Sequence, residues 1–162
     1  MQFRREHRYR AEPEAVARAY ASEALYAGLG AGSKLAPPEV LDRRDEGGGV
    51  VLRIRYRFIG ELSSAVRAVL DPARLTWVDE STHDLAARTV AFRLVADHYA
   101  DRFSCAGTYR FVADGTGTVR HTEAELKVRA PLVGGKVERV LADDLSSHLA
   151  AEVHGVEAFL AR

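Results

Sequence analysis

The residues best placed for chemistry are His148 and Glu152, a histidine and a glutamate near the end of the sequence. They are one helical turn apart, so both side chains can touch on one face of a helix. We weigh two interpretations of the pair. In the first, a buried acid with a raised pKa, or a His–Glu dyad, acts on a bound molecule. In the second, the pair lies near the open end of a groove, partly solvated, and has no catalytic role.

Two tyrosines, Tyr56 and Tyr109, are the other candidates, because a buried phenol hydroxyl needs a hydrogen-bond partner. The 6 histidines are scattered without metal-ligand spacing and the sequence has 1 cysteine, so we expect no metal site and no cofactor. Acidic and basic residues balance at 23 each. The arginines that alternate along several predicted strands are therefore expected to form an ordinary solvated sheet face, and no nucleic acid is expected as a partner.

A long helix is predicted to hold His148 and Glu152, from Gly134 to about Ala161. At about 1.5 Å per residue it would run roughly 40 Å. Glu152 falls inside its apolar stripe, which needs a large apolar surface to cover. The stripe follows the i, i+3, i+4, i+7 spacing of an amphipathic helix and comprises Val137, Val140, Leu141, Leu145, Leu149, Val153, Val156, Phe159 and Leu160.

The apolar surface for that helix is predicted to come from seven strands upstream, each with apolar and polar residues in alternation. Two short helices, Glu14–Tyr20 and Glu23–Leu29, follow the first strand, and Ser22 is expected to cap the second. Gly28, Gly30 and Gly32 are expected to end it. Short turns between the later strands predict an antiparallel sheet and an α+β fold. The predicted strands are residues 3–10, 39–46, 50–59, 74–81, 88–97, 102–113 and 118–129.

The segment from Gly60 to Pro72 fits either short helical turns or an irregular edge. The chain has 162 residues, which suits a single domain over residues 1–162. No apolar run reaches the roughly 18 residues of a membrane span, and the N-terminal residues lack the apolar region of a signal peptide. The lone Cys105 cannot form an internal disulfide, so a cytoplasmic location is expected.

This order of elements resembles the helix-grip fold of the START-like, or SRPBCC, superfamily, which includes lipid-transfer domains, pollen-allergen-type proteins and polyketide cyclases. Residues 3–16, FRREHRYRAEPEAV, look like the usual opening strand and helix of that superfamily. Residues 130–138, APLVGGKVE, look like the junction before the last helix in a mainly actinobacterial branch. The resemblance implies a seven-stranded antiparallel sheet curled around the long C-terminal helix. It also implies a cavity between them that takes an apolar or amphipathic small molecule.

The inward strand positions and the helix stripe supply the candidate ligand-binding residues. By spacing alone these side chains could equally fill the interior as plain core. Three functions remain open: a carrier of a lipid-like molecule, a cyclase- or dehydratase-like enzyme, or a cavity-free interaction module with an exposed apolar patch around Leu62 to Leu70. The sequence leaves ligand identity, catalysis and oligomeric state open. The candidate residues are Ile54, Tyr56, Phe58, Trp77, Phe92, Tyr109, Leu126, Leu141, Leu145, His148, Leu149 and Glu152.

Overall fold

The structure, a computed structural model, describes residues 1–31 and 34–162, so the predicted helix-breaking Gly32 lies outside the described residues. The chain has an α+β fold, in which short connections join neighbouring antiparallel strands. The elements are β1 (Gln2–Tyr9), α1 (Pro13–Tyr20), α2 (Glu23–Gly28), β2 (Glu39–Glu46), β3 (Gly49–Arg57), α3 (Ser64–Arg67), a 3-10 turn (Pro72–Arg74), β4 (Thr76–Asp84), β5 (Thr89–Ala96), β6 (Phe103–Asp114), β7 (Gly117–Val128) and α4 (Gly134–Leu160).

The sheet is antiparallel and has seven strands in the order β1-β7-β6-β5-β4-β3-β2. Each strand from β2 to β7 pairs with its neighbour in sequence, and β1 pairs with β7. The predicted α+β helix-grip arrangement, with two short helices after the first strand, is confirmed. The predicted cap is also present, because the Ser22 side chain accepts a hydrogen bond from the backbone N–H of Ala24.

The inner face, which we define as the sheet face toward α4, follows the predicted period of two. In β3 the residues Val50, Leu52, Ile54 and Tyr56 are buried. A single row crosses the inner face through cross-strand partners, running Ile54, Asp79, Leu94, Cys105 and Leu126. All of its members are apolar or weakly polar except one carboxylate.

Close approach of β6 and β7 fixes the identity of one residue at the sheet centre. A Cβ atom on Gly107 would lie 2.1 Å from the backbone oxygen of Glu123 and 2.7 Å from the Cα of Ala124. Glycine is therefore required at this position, because any side chain would push the two strands apart.

The long helix covers the inner face as its apolar stripe predicts. Leu141, Leu145 and Leu149 pack against a buried cluster that includes Cys105 and Leu126. Further along α4, Val156 is fully buried in the larger core beside α1 and α2. No described helix is both long and apolar enough to cross a membrane.

The segment that fits several sequence interpretations folds as the short helix α3 followed by the 3-10 turn. Leu62, Val66 and Leu70 are 7%, 0% and 8% exposed, and they pack with Val137 of α4. The exposed apolar patch expected for an interaction module is therefore absent from these residues. Leu62 and Leu70 line the space between the sheet and α4.

Candidate functional site

A cavity of about 190 Å³ lies between the inner face of the sheet and α4. All of the predicted site residues line it except Ile54, which is 1% exposed and packs in the core beside Leu52. The interior is therefore not filled by its own side chains, and the plain-core alternative does not describe it. The predicted residues that line it are Tyr56, Phe58, Trp77, Phe92, Tyr109, Leu126, Leu141, Leu145, His148, Leu149 and Glu152.

Aromatic rings form much of the wall. The rings of Tyr56 and Trp77 are stacked with centroids 6.0 Å apart and an interplanar angle of 18°. Phe92 and Tyr109 have centroids 5.8 Å apart. His148 meets the Tyr56 ring edge-on at 5.6 Å. The flat faces of these rings suit an aromatic or alicyclic body more than a branched polar one.

Polar residues line both ends of the cavity, and they are exposed to solvent at one end and buried at the other. Arg74 and His98 line it and are exposed, so the cavity reaches the surface beside them. Lys34 and Asp144, an ion pair between the loop before β2 and α4, also line it. At the opposite, buried end the lining includes Arg120 and Glu152.

Arg120 is the centre of a buried hydrogen-bond network. It is 1% exposed, and its Nη1 donates to Glu152 Oε1 at 2.9 Å and to the Tyr20 hydroxyl. Its Nη2 lies 3.3 Å from His7 Nδ1 and donates to the backbone oxygen of Leu149 at 3.4 Å. All four Nη hydrogens are therefore directed at protein acceptors.

Tyrosines complete this network. The Tyr20 hydroxyl donates to Glu152 Oε1 at 2.7 Å, so the Tyr9 hydroxyl, 2.8 Å away, must donate to Tyr20. The guanidinium of Arg120 also lies over the rings of Tyr9, Tyr20 and Tyr109, at 5.8, 5.2 and 5.7 Å from their centroids. Hydrogen bonds and aromatic faces thus stabilise a charge that burial would otherwise oppose.

The predicted pair of His148 and Glu152 is present in the cavity wall. His148 Nε2 lies 3.7 Å from Glu152 Oε2; the His148 side chain is 23% exposed and the Glu152 side chain 6%, so the pair is partly solvated through the histidine. Burial raises the pKa of Glu152, but Arg120, His148 and the Tyr20 hydrogen bond outweigh burial and hold the pKa below its usual value. The alternative of a raised pKa at Glu152 is therefore wrong, because Arg120 is a partner for the carboxylate that the local sequence does not indicate. Burial also lowers the pKa of His148, which is neutral at pH 7.

The acid with a raised pKa is a different residue, Asp79 of β4. It lines the cavity, and its Oδ1 is shielded without a hydrogen-bond partner among the described residues. Burial, followed by the charges of Glu152 and Glu80, raises its pKa to about 7. Asp79 thus changes charge near neutral pH, whereas Glu152 stays ionised.

Comparison with known proteins places the chain in a family. Residues 4–160 match a family described as a protein of unknown function, DUF2505. The chain belongs to the DUF2505 family. Among curated proteins, none matches the sequence.

Solved structures with the same fold cover nearly all of this DUF2505 chain. ZhuI aromatase/cyclase from Streptomyces sp. R1128 has a TM-score of 0.66 and 17% identity, over 100% of this chain and 94% of that chain. Norcoclaurine synthase from Thalictrum flavum, in complex with dopamine and hydroxybenzaldehyde, has a TM-score of 0.62 and 17% identity, over 99% and 86%. A START superfamily protein from Mycobacterium smegmatis has a TM-score of 0.58 and 13% identity, over 99% and 97%. The resemblance to the START-like superfamily is confirmed for the fold, which is all that such identities show.

Sequence reasoning missed Arg120 and Asp79, the two most informative residues of the DUF2505 cavity. Both lie at inner-face positions of segments that the sequence predicts to be strands, β4 and β7. Continuing the period of two backward from Thr122 leads to Arg120, and continuing it forward from Trp77 leads to Asp79. The signal that identifies both is a charged residue at a position where the alternation of the strand calls for an apolar, inward-facing one.

Proposed function

We propose that this DUF2505 chain binds an apolar or amphipathic small molecule in the cavity between the sheet and α4. The observation that carries the proposal is the cavity itself, about 190 Å³ with aromatic and aliphatic walls. Space left between core side chains lowers stability, because the atoms that line it lose packing partners. A chain that only had to fold would gain by filling it, so binding is the use that best accounts for it.

The structural neighbours support this proposal by analogy of fold. One neighbour is an aromatase/cyclase, and another is a norcoclaurine synthase in complex with dopamine and hydroxybenzaldehyde. The names of both proteins point to ligands with aromatic rings, as does the aromatic wall of Tyr56, Trp77 and Phe92. A lipid-like ligand, a carrier role and a cytoplasmic location stay predictions.

The test is direct binding of a neutral hydrocarbon, para-butyltoluene, with the fluorescence of Trp77 as the readout. Trp77 is the single tryptophan of the chain and it lines the cavity. Leu145→Phe places extra volume in the cavity and should weaken binding about tenfold or more. Val112→Phe adds the same kind of ring at a position 41% exposed on β6, and should leave binding unchanged. Equal binding by both variants, or no binding by the native chain, would refute the proposal.

An acid–base enzyme of the cyclase or dehydratase kind is the second candidate, and the pKa of Asp79 favours it. A carboxyl group that titrates at about 7 can take up and release protons at neutral pH. Among the residues first considered, Glu152 pairs with Arg120, which leaves His148, Tyr56 and Tyr109 in the same cavity as Asp79. Deuterium uptake next to the carbonyl of phenylacetone, followed by proton NMR in D₂O, tests this role. Uptake no faster with the native chain than with Asp79→Asn would exclude it for this substrate class.

A further inference from the structure

The charges around the cavity leave one group without a partner among the described lining residues. Lys34 pairs with Asp144, and Arg120 pairs with Glu152. Arg74 lies at the exposed end, against His98 and the Tyr99 ring, where water screens it. Asp79 lies in the apolar inner-face row, opposite Ile54 and Leu94, with its Oδ1 unpartnered.

Arg120 does not serve as a receptor for an anionic ligand, although it lines the cavity. Its four Nη hydrogens are directed at Tyr20, Glu152, His7 and Leu149. Its Nε has no hydrogen-bond partner among the described residues, but that atom is shielded. An anion entering the cavity would therefore find no free Nη donor, and it would meet the carboxylate of Asp79 in a region of low dielectric.

The surroundings of Asp79 suit a cation instead. Tyr56 of β3 pairs with Trp77, which precedes Asp79 by two residues on the same face of β4, so both rings lie next to the carboxylate along the sheet. Tyr26, Tyr56 and Trp77 line the same cavity. Aromatic faces attract cations, most strongly where water is excluded. A carboxylate among such rings can accept the N–H groups of an ammonium group and neutralise its charge.

We propose that Asp79 anchors a protonated amine carried on an apolar or aromatic body, so that the cavity selects amines over carboxylic acids. The ammonium group lies against Asp79 beside the rings of Tyr56 and Trp77, and the body fills the space lined by Leu126 and Leu145. This inference rests on the proposed function and specifies its ligand class. It assigns Arg120 to the protein's own network rather than to the ligand.

The affinity for an amine should depend on pH. Because Asp79 titrates at about 7, raising the pH through 7 ionises it and strengthens binding of a ligand that stays protonated. The other titratable or charged groups around Asp79 keep one charge state through pH 7. Glu152 and Glu80 have lowered pKa values, burial lowers the pKa of His148, and burial raises the pKa values of the tyrosines and the thiol. In the cavity wall these groups are Glu152 and His148 from α4, Tyr26 from α2, Tyr56 from β3, Cys105 and Tyr109 from β6 and Arg120 from β7, and Glu80 lies on the outer face of β4.

The experiment compares four probes that share one body: para-butylbenzylamine, para-butylbenzyl alcohol, para-butylbenzoic acid and para-butyltoluene. Dissociation constants are measured at pH 8 through Trp77 fluorescence. The amine should bind at least about tenfold more tightly than the acid, as hydrogen bonds to a buried charge imply. Asp79→Asn should remove that preference while still binding para-butyltoluene. Glu80→Gln removes the neighbouring carboxylate, which pairs with Arg53 and Arg93 instead of facing the cavity, and should keep the preference.

Each outcome decides the proposal. If para-butyltoluene binds but the amine is not preferred, or if Asp79→Asn keeps the preference, the amine site is wrong and the apolar cavity stands. If no probe binds, both proposals fail together. Should Asp79→Asn not fold, the native chain decides alone: affinity for the amine must rise through pH 7 while affinity for the alcohol stays level, and parallel profiles would overturn the inference.

Discussion

Replacing Glu152 with glutamine should destabilise the protein by several kcal/mol, because it leaves Arg120 as an uncompensated buried charge. Glutamine keeps the volume and an oxygen that accepts from Tyr20 and Arg120, so the change removes mainly the negative charge. At 2.9 Å and an effective dielectric constant of about 20, two unit charges interact with about 6 kcal/mol. Both charges are delocalised, and breaking buried pairs typically costs about 3–5 kcal/mol. We therefore expect the free energy of unfolding to fall by about 3–5 kcal/mol.

Urea unfolding followed by circular dichroism at pH 7 measures this loss. For a chain of this size it corresponds to a fall in Tm between about 6 and about 20 °C. Glu123→Gln is the matched control, since that carboxylate is 61% exposed and 3.7 Å from Arg4, and the change should cost less than about 0.5 kcal/mol. Replacing both partners, as Arg120→Met with Glu152→Leu, should recover much of the loss. If Glu152→Gln unfolds at the same urea concentration as Glu123→Gln, the argument that Arg120 depends on this carboxylate is refuted.

Three further predictions concern other residues of the interior. Asp79→Asn should be more stable than the native chain, because the folded protein raises the pKa of this acid. The difference in free energy of unfolding should grow by up to about 1.4 kcal/mol per pH unit between about pH 4 and pH 7 and then level off. Urea unfolding of both proteins across that pH range measures the difference. Gly107→Ala should lower stability by about 2 kcal/mol or more, because its Cβ would meet the β7 backbone, whereas Gly115→Ala in the β6–β7 turn, with no atom within 4 Å of its Cβ, should lower it less despite its positive φ. Cys105 should resist a thiol reagent at pH 8 in the folded protein and react in urea, because burial, followed by the charge of Asp79, raises its pKa to about 12; fast labelling of the folded protein would contradict its placement.

The walls of the cavity were predictable because they follow local periodicity. Alternation in β3 and β6 identifies Tyr56 and Tyr109, and the helical stripe identifies Leu145 and Leu149 without any knowledge of long-range contacts. Ile54 satisfies the same alternation but packs in the core instead of lining the cavity. Periodicity tells which face a residue lies on, and it does not tell whether the space above that face is filled.

The polar network was not predictable, because its members meet only in the folded chain. Tyr20 and Arg120 are 100 residues apart in sequence, and Arg120 and Glu152 are 32 apart. Nothing local to Glu152 indicates a buried arginine, so the sequence alone left a raised pKa at this residue as an open alternative. The strand predicted to end at residue 81 also extends further, to Asp84, and the side chains of Ser81 and His83 are buried and hydrogen-bonded to each other.

Asp79 and Glu152 line the same cavity, and the position of Arg120 determines what each carboxylate can do. Arg120 and the Tyr20 hydroxyl contact Glu152 and lower its pKa, so its contribution to stability is present above about pH 4.5 and is lost as acid protonates it. Asp79 has no such partner, and burial raises its pKa, so its ionisation opposes folding as the pH rises. Loss of charge at the two positions must therefore act on stability with opposite signs at pH 8. A group that destabilises the fold when charged gains most from a ligand that neutralises it, which is why ligand chemistry is expected at Asp79 rather than at Glu152.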